Sequence, residues 1–327
     1  MRHASRQVRF RLFRRLDLSV VRAEFISDVF SGSVASPAGD VIHAHLQPHF
    51  EKPMLIHWHI DPVLVSLGPL AIRWYGLLFA APFLAGLSFF SRVFREEGIP
   101  ETDLERLLLY AVLGTVIGAR LAHCFVYDPA FYAANPLKVF AIWEGGLASH
   151  GGIAGLVCGF WLAARKFSRR VGLLWLLDRL ALPGALGAVC IRLGNFMNSE
   201  IVGVPTSGSW GVIFDQVDQI PRHPAQLYEA FGYLAVLCVL VFLYERHGKR
   251  PPRGLLAGWL LTLVFAVRIG TEFVKAPQAA YEAGQAFSVG QYLSIPFLCL
   301  GIGLIWRALR NPVVGSGHTS RPERGRG

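Results

Sequence analysis

The chain has 327 residues, of which 53% are hydrophobic and only 17% are charged. Its mean hydropathy of +0.42 excludes an ordinary water-soluble domain and predicts an all-α polytopic membrane protein. The formal charge of +10 does not indicate nucleic acid binding, because the basic residues form short clusters between apolar runs rather than one basic face.

Apolar segments of roughly 20 residues recur along the chain, and that length crosses about 30 Å of hydrocarbon as a helix. They predict about seven transmembrane helices, here called spans one to seven. The spans lie near residues 70–91, 105–126, 147–165, 173–193, 224–244, 255–274 and 289–308.

Basic residues are concentrated in alternate connectors, those that follow spans one, three, five and seven. Because Lys and Arg are retained on the cytoplasmic side of a membrane, this pattern predicts that the N-terminus lies outside and the C-terminus in the cytoplasm. The residues concerned are Arg92, Arg95, Arg165, Lys166, Arg169, Arg170, Arg246, Lys249, Arg250, Arg253, Arg307 and Arg310.

The two ends of the chain differ in composition from the membrane domain predicted for residues 54–310. Residues 1–53 form a basic extension without an apolar run long enough for a signal peptide. Two interpretations stay open for it: a disordered tail, or a start assigned too early, before Met54. Residues 311–327 predict a disordered cytoplasmic tail.

The five cysteines each lie within an apolar run, and the chain has no CxxC motif. No His or Cys residues have metal-ligand spacing either. The pattern predicts neither disulfides nor a metal site.

Charged groups at membrane depth are costly, so each needs a partner, a polar cavity or a function. Arg268 and Glu272 are four residues apart and can pair on one face of span six, and an ion pair that only fixes helix packing is one interpretation. The other interpretation is that Arg192 and Arg268 converge on one cavity, where Glu200 and Glu272 partly neutralise them. Two guanidinium groups suit a phosphate, because each planar fork binds two oxygens. Other residues examined on the same grounds are Arg73, Tyr75, Arg120, His123, Asp178 and Glu229.

The sequence GGLASHGG, residues 145–152, opens span three. Its glycines allow close approach to a ligand or to a neighbouring helix, and the helix N-terminus favours an anion. A histidine within a membrane segment often serves packing, yet His150, flanked by Gly151 and Gly152, is also the best-placed general base in the chain. The segment RHPAQLYE, which opens span five, has two interpretations as well: an interfacial cap, or a part of the site through His223.

Five motifs occur in the order found in prolipoprotein diacylglyceryl transferases. They are IRWYG, GGLASHGG, RLGNFMNSE with Gly203, RHPAQLYE and the pair Arg268 and Glu272. The chain resembles this family over about residues 54–308, which include every predicted span.

The resemblance implies a bacterial inner-membrane enzyme that needs no cofactor. It would transfer the diacylglyceryl group of phosphatidylglycerol to the lipobox cysteine in the signal peptide of a preprolipoprotein, and release glycerol 1-phosphate. His150 matches the histidine for which a base role has been proposed, and Arg192 and Arg268 match the family's arginines. The candidate substrate-binding residues are Tyr75, Gly151, Gly152, Asn195, Asn198, Glu200, Gly203, His223 and Glu272.

Two positions depart from the family pattern. Arg73 stands where a His often precedes Trp-Tyr-Gly, and Val264 stands where a Tyr often lies four residues before the arginine of span six. If that phenol has a catalytic part in the family, Tyr75 or His150 would take it over here.

Two other functions fit the same residues. A carrier or flippase for an anionic lipid or solute would use the arginines but no base, so it should tolerate His150→Gln. A lipid-modifying transferase with another acceptor would not depend on a cysteine thiol.

Overall fold

The structure is a computed structural model that describes residues 54–68, 70–142, 145–167, 171–208, 210–276 and 288–311. The expectations for residues 1–53 and for residues 312–327 of the tail lie outside this part of the chain.

Seven long helices make up most of the described residues. Their bounds are α1 Trp74–Glu96, α2 Glu101–Ala122, α4 Ser149–Lys166, α5 Leu173–Met197, α6 Ala225–Arg246, α7 Leu255–Glu272 and α8 Val289–Arg310. A π-helical turn (His123–Tyr127), a short helix α3 (Pro129–Ala134) and a 3₁₀ turn (Pro136–Phe140) connect α2 to α4.

Within the described ranges, six helices are long and apolar enough to cross a bilayer. The long helix not among them is α4, whose two ends are polar, with His150 in the first turn and Arg165 and Lys166 in the last. Many apolar side chains on the helices are exposed, for example Phe83 at 63% and Leu84 at 66%, as expected for helices that face lipid. The prediction of an all-α polytopic membrane protein is confirmed, whereas the orientation of its termini stays a prediction.

Five short strands in the described ranges were not predicted. Their bounds are β1 Met54–Trp58, β2 Val63–Leu67, β3 Leu70–Arg73, β4 Trp210–Phe214 and β5 Pro221–Arg222. Strands β2 and β3 form a hairpin, and β1 pairs in parallel with β4, which also pairs with β5. The predicted start of span one at residue 70 is therefore wrong, because residues 70–73 are a strand whose apolar residues merge with the span in sequence.

Glycines hold α2 and α4 close together. A Cβ atom on Gly155 would lie 1.9 Å from the backbone oxygen of Gly114, and one on Gly151 would lie 2.3 Å from that of Gly118. Such contacts exclude any side chain at the crossing, as in other small-residue membrane interfaces. Residue 155 of α4 meets residue 114 of α2, and residue 151 meets residue 118. The two helices are therefore antiparallel.

Proline and glycine pair reciprocally between α1 and α5. A Cβ on Gly86 would contact Pro183, and one on Gly187 would contact Pro82. Each proline ring thus packs where the facing helix has no side chain, which allows two helices with internal prolines to lie side by side.

The N-terminus of α7 is capped by a residue from another helix. Asp178 of α5, fully buried, accepts hydrogen bonds from the backbone N–H groups of Gly254 (2.7 Å) and Ala257 (3.0 Å). The carboxylate satisfies donors that a helix start leaves unpaired and favours the positive end of the helix dipole. Asp178 is therefore accounted for by the fold.

Arg120 anchors the connector between α2 and α4. Its side chain, on a residue only 3% exposed, donates to the backbone oxygens of Lys138 (2.5 Å), Val139 (2.9 Å), Gly145 (2.5 Å) and Gly146 (3.2 Å). The start of GGLASHGG is therefore fixed to the last turn of α2.

Candidate functional site

The site lies at the end of the bundle where α5 and α7 end and α6 begins. Successive helix pairs are antiparallel, as contacts of Gly232 with Val267 and of Gly290 with Glu272 show for α6–α7 and α7–α8. The alternation brings residues 75, 150, 192, 223 and 268 to one end of the molecule, although they are far apart in sequence.

Arg192, in the last turns of α5, is held by two side chains. Its Nε lies 2.6 Å from Oε2 of Glu229, and its Nη1 donates to Oδ1 of Asn195 at 3.2 Å. Of the five N–H donors of the guanidinium, one donates to Asn195, whereas the contact with Glu229 is a close ion pair without hydrogen-bond geometry. The side chain is 12% exposed, so the remaining donors lie in a largely desolvated environment.

Glu229 is the buried carboxylate of the site, and the sequence analysis gave it no role. Its Oε1 is 3.0 Å from Nζ of Lys275 and accepts hydrogen bonds from the hydroxyls of Thr271 (3.2 Å) and Tyr233 (3.4 Å). Its side chain is fully buried. The sequence indicates a role for Glu229 only through its position at membrane depth, at the end of RHPAQLYE. No local spacing links Glu229 to Arg192.

Arg268 and Glu272, for which an ion pair was one of two interpretations, do not pair with each other in the structure. Glu272 pairs instead with Lys275, at 3.2 Å between Oε2 and Nζ, while Arg268 has no carboxylate within 4.0 Å among the described residues. Arg192 and Arg268 both interact electrostatically with Tyr233. Both arginines therefore lie within electrostatic range of Tyr233, and of the two only Arg192 has an ion-pair partner among the described residues.

Glu200 belongs to a network of amides at the end of α5. Asn195 Nδ2 donates to Glu200 Oε2 at 2.9 Å and Asn198 Nδ2 to Oε1 at 3.1 Å, while Gln226 Nε2 donates to the backbone oxygen of Glu200 at 2.6 Å. In the described residues Glu200 reaches Arg192 only through Asn195. The carboxylate in direct contact with Arg192 is that of Glu229, whereas Glu200 orients the amides.

The backbone after α5 is strained and tightly packed. Ser199 and Ile201 have φ values of 55° and 56°, which residues with a side chain rarely adopt. A Cβ on Gly203 would lie 2.4 Å from the backbone oxygen of His223 and 2.7 Å from that of Val274. Gly203 therefore joins the segments before α6 and after α7 by close approach, and its role in substrate binding stays a prediction.

Tyr75, in the first turn of α1, lies directly against α5. A Cβ on Gly194 would come within 2.7 Å of its ring, so the glycine of RLGNF leaves space for the phenol next to Asn195. The side chain is half-buried.

His150 and its neighbouring glycines face different surroundings. His150 is exposed in the first turn of α4, whereas Gly151 and Gly152 are buried against α2. Helix packing thus accounts for both glycines, and a contact of theirs with substrate stays a prediction. His150 lies at the same end of the bundle as Arg192.

His223 is part of an aromatic cluster rather than of the charged one. Its Nδ1 lies 3.1 Å from the hydroxyl of Tyr228, and Trp210 lies edge-on to both rings. Next to it, Arg222 donates to the backbone oxygen of Gly203 (3.2 Å) and pairs with Asp218 (2.6 Å). The hydrogen bonds from Arg222 lower the pKa of Asp218 below its usual range.

The arrangement suits phosphate chemistry. The guanidinium of Arg192 lies in a site of low solvent access with a lysine and two carboxylates nearby, and Arg268 also interacts with Tyr233 beside it. No three His, Cys, Asp or Glu side chains of the described residues are arranged to hold a metal ion. The arginine and lysine side chains can stabilise charge that develops on phosphate oxygens.

Comparisons with known proteins agree with this chemistry. The family model "Prolipoprotein diacylglyceryl transferase" matches residues 62–307. The chain is 52% identical over 251 residues to a protein of Tolumonas auensis named phosphatidylglycerol–prolipoprotein diacylglyceryl transferase, covering 77% of this chain and 96% of the relative. Relatives of the same name from Chloroherpeton thalassium and Porphyromonas gingivalis are 47% and 44% identical, over 78% and 80% of this chain and 95% and 97% of theirs.

The matched region includes all seven long helices, except the last residues of α8, and every motif on which the resemblance rested. The comparisons thus favour an enzyme over a carrier. The chain belongs to the prolipoprotein diacylglyceryl transferase family.

Proposed function

We propose that the protein transfers the sn-1,2-diacylglyceryl group of phosphatidylglycerol to the lipobox cysteine thiol of a preprolipoprotein. Sulfur forms a bond to the glycerol carbon while the bond from that carbon to the phosphate oxygen breaks. The products are a thioether and glycerol 1-phosphate, and the thiol proton passes to a base.

The interaction of both Arg192 and Arg268 with the same residue, Tyr233, is the observation that carries this proposal. As the carbon–oxygen bond breaks, the phosphate gains negative charge, and oriented guanidinium donors in a site of low dielectric stabilise that charge. Arg192 is oriented by Glu229 and Asn195, whereas Arg268 has no ion pair with a described residue to break before it binds phosphate.

The nucleophile requires a base, because the thiolate rather than the thiol attacks carbon. His150 presents an exposed imidazole at this end of the bundle, and a positioned imidazole is the side chain that most often serves as a general base. Assigning it as the base leaves Tyr75, which lies against Gly194, to bind the headgroup.

The site would lie at the outer face of the bacterial inner membrane. The last turns of α1, α4, α6 and α8 contain basic residues, and these turns lie at the end of the bundle opposite to Arg192. If that basic end is cytoplasmic, the site meets the outer leaflet, where a secreted protein's cysteine arrives.

The test combines the purified full chain with phosphatidylglycerol and a synthetic lipobox peptide. We expect the peptide mass to increase by one diacylglyceryl group and glycerol phosphate to be released. A peptide with cysteine replaced by serine should be inert, since a hydroxyl gives far less nucleophile near neutral pH. No mass increase under conditions where a relative from the family is active would overturn the proposal.

The variants Arg192→Ala and His150→Gln separate the two parts of the mechanism. Arg192→Ala should lose transfer at every pH. His150→Gln should lose most transfer at neutral pH and recover part of it at alkaline pH, where the peptide thiol ionises without help. A His150→Gln variant with unchanged activity and pH profile would remove His150 from the mechanism.

A further inference from the structure

Gln226, in the segment RHPAQLYE, is a fully buried amide of which only one end is paired. It is the second residue of α6. Its Nε2 donates to the backbone oxygen of Glu200 at 2.6 Å, whereas its Oε1 has no hydrogen-bond partner among the described residues. A buried acceptor without a partner is costly, which calls for an account of what the paired end does.

The backbone that Gln226 holds is strained on both sides of Glu200. Ser199 and Ile201 have φ values of 55° and 56°, and such conformations persist only where the surrounding structure fixes them. The N–H of Glu200 donates to the backbone oxygen of Asn195 at 2.9 Å, and its carbonyl oxygen accepts from Gln226. Both backbone groups of Glu200 are therefore fixed, and with them the point from which its side chain starts.

The carboxylate of Glu200 determines how the amide of Asn195 is oriented. An ionised carboxylate only accepts hydrogen bonds, and a guanidinium only donates them. Nδ2 of Asn195 donates to Glu200 at 2.9 Å, which leaves Oδ1 to accept from Nη1 of Arg192 at 3.2 Å. A reversed amide would place donors against the guanidinium. A displaced Glu200 would therefore release the orientation of Asn195, and with it one contact that holds Arg192.

One face of α6 thus reaches Arg192 by two routes. Gln226 and Glu229 are three residues apart, which places them on the same side of a helix, and both are fully buried. Glu229 contacts Arg192 itself, at 2.6 Å. Gln226 reaches it through the backbone of Glu200 and the amide of Asn195.

We infer that Gln226 is a positioning residue for diacylglyceryl transfer, which orients the guanidinium of Arg192 through Glu200 and Asn195. The inference rests on the proposed function, and it assigns Gln226 no contact with substrate. Without Gln226 the charge of Arg192 stays in the site, because Glu229 still pairs with it. What is lost is the orientation of its donors, on which stabilisation of the transition state depends.

The test compares the full-length wild type with Gln226→Met, whose side chain has a similar length but no hydrogen-bond donor. Steady-state transfer from phosphatidylglycerol in mixed micelles to a lipobox peptide is measured. We expect kcat to fall about tenfold to 100-fold. KM for the lipid should stay within about threefold of wild type, because the charge of Arg192 is retained.

The stability of Gln226→Met separates positioning from packing. Methionine removes the unpaired Oε1 from the interior together with the donor, so the thermal unfolding midpoint should stay within about 3 °C of wild type. A role in packing alone predicts a lower midpoint and a folded fraction that retains the kcat of wild type. That result would overturn the inference.

A double-mutant cycle tests whether Gln226 acts through Glu200. Glu200→Gln replaces the carboxylate by an amide that donates as well as accepts, so the side chain no longer dictates the orientation of Asn195. The double variant should therefore have a kcat within about threefold of that of Glu200→Gln alone. Losses that multiply would show that the two residues act independently, and the inference would fall.

Gln226→Asn keeps the inference falsifiable if Gln226→Met does not fold. It retains an amide but withdraws it by one methylene group from the backbone oxygen of Glu200. We expect kcat to fall about tenfold or more, again without an additional loss in combination with Glu200→Gln. A Gln226→Asn variant with the kcat of wild type would contradict the positioning role.

The matched control is Gln216→Met. Gln216 also donates its amide to a backbone oxygen, that of Ile60 at 3.0 Å, but in an exposed position. Its substitution should leave kcat and KM unchanged. A wild type that does not transfer under conditions where a relative from the family is active would refute the proposed function, whereas an unimpaired Gln226→Met beside an active wild type would refute only the role of Gln226.

Discussion

Arg120 in α2 and Arg192 in α5 are two arginines with little solvent exposure that lie at the same end of the bundle and contact different kinds of partner. The donors of Arg120 end on backbone oxygens of its own connector, as at Val139 (2.9 Å) and Gly146 (3.2 Å). The guanidinium of Arg192 instead contacts the side chains of Glu229 and Asn195. These two contacts leave some of its N–H groups for other partners.

The difference separates a structural arginine from a ligand-binding one. Backbone oxygens are fixed by the fold, so an arginine that binds four of them holds a segment in place. Side chains from other helices orient a guanidinium while leaving donors for a substrate. Charge and depth in the membrane, which the two arginines share, do not distinguish these functions.

The largest effect on activity is expected when the guanidinium of Arg192 is replaced. Arg192→Lys retains the charge opposite Glu229 but loses the planar fork. We expect kcat/KM for diacylglyceryl transfer to fall about 100-fold to 1000-fold, with the thermal unfolding midpoint close to that of wild type. A loss below threefold would show that the fork is not needed.

Arg120→Gln should have the opposite profile. Several backbone oxygens lose a charged donor, so we expect a loss of about 3 kcal/mol in the free energy of unfolding. The folded fraction should retain transfer activity within about tenfold of wild type, because the hydrogen bonds of Arg120 all go to the connector between α2 and α4. Unfolding in detergent, followed by circular dichroism, measures the stability. A variant as stable as wild type but inactive would place Arg120 in the site instead.

Two glycine substitutions should also separate a position that serves the fold from one that serves the site, with smaller effects than the arginine substitutions. In Gly155→Ala the new methyl meets the backbone of α2, whereas in Gly194→Ala it meets the ring of Tyr75. Backbone cannot yield without separating helices, so Gly155→Ala should cost about 2 kcal/mol of stability. Gly194→Ala should cost less stability but displace Tyr75 and lower transfer more. Equal effects of both substitutions on both readouts would contradict this division.

The smallest effect is expected at Asp218, whose pKa is lowered by hydrogen bonds from Arg222. A lowered pKa in the folded state stabilises the protein above the unfolded pKa of about 4, and this contribution disappears as the pH falls through the folded value. Asp218→Asn should therefore lower the unfolding midpoint slightly at pH 7 and not at pH 2.5. A difference that grows on acidification would have the wrong sign for this ion pair.

Local patterns predicted much of the fold. Apolar runs of membrane length gave all seven long helices within a few residues, since the length and polarity of each run decide that property without reference to other segments. The strands between Met54 and Arg73 were not predicted, because they are short and apolar and because β1 pairs with β4, more than 150 positions away.

The candidate site was predicted by residue type but not by partner. Arg192, Arg268, Asn195 and Glu200 were selected as polar groups at membrane depth, and the structure brings them to one end of the bundle. The partner of Arg192 was not predicted, because a residue on α6 supplies the carboxylate. The pairing of Glu272 with Lys275 rather than Arg268 depended on how the chain turns after α7.

By itself, the sequence determined that this is a polytopic helical membrane protein with arginines and amides at the ends of its spans, because hydropathy and residue chemistry are local properties. Only the tertiary structure decided which carboxylate holds Arg192, which cation has no such partner in the described residues, and which arginine serves the fold. Those outcomes depend on how separate helices meet, and a contact across helices leaves no periodic trace in either segment.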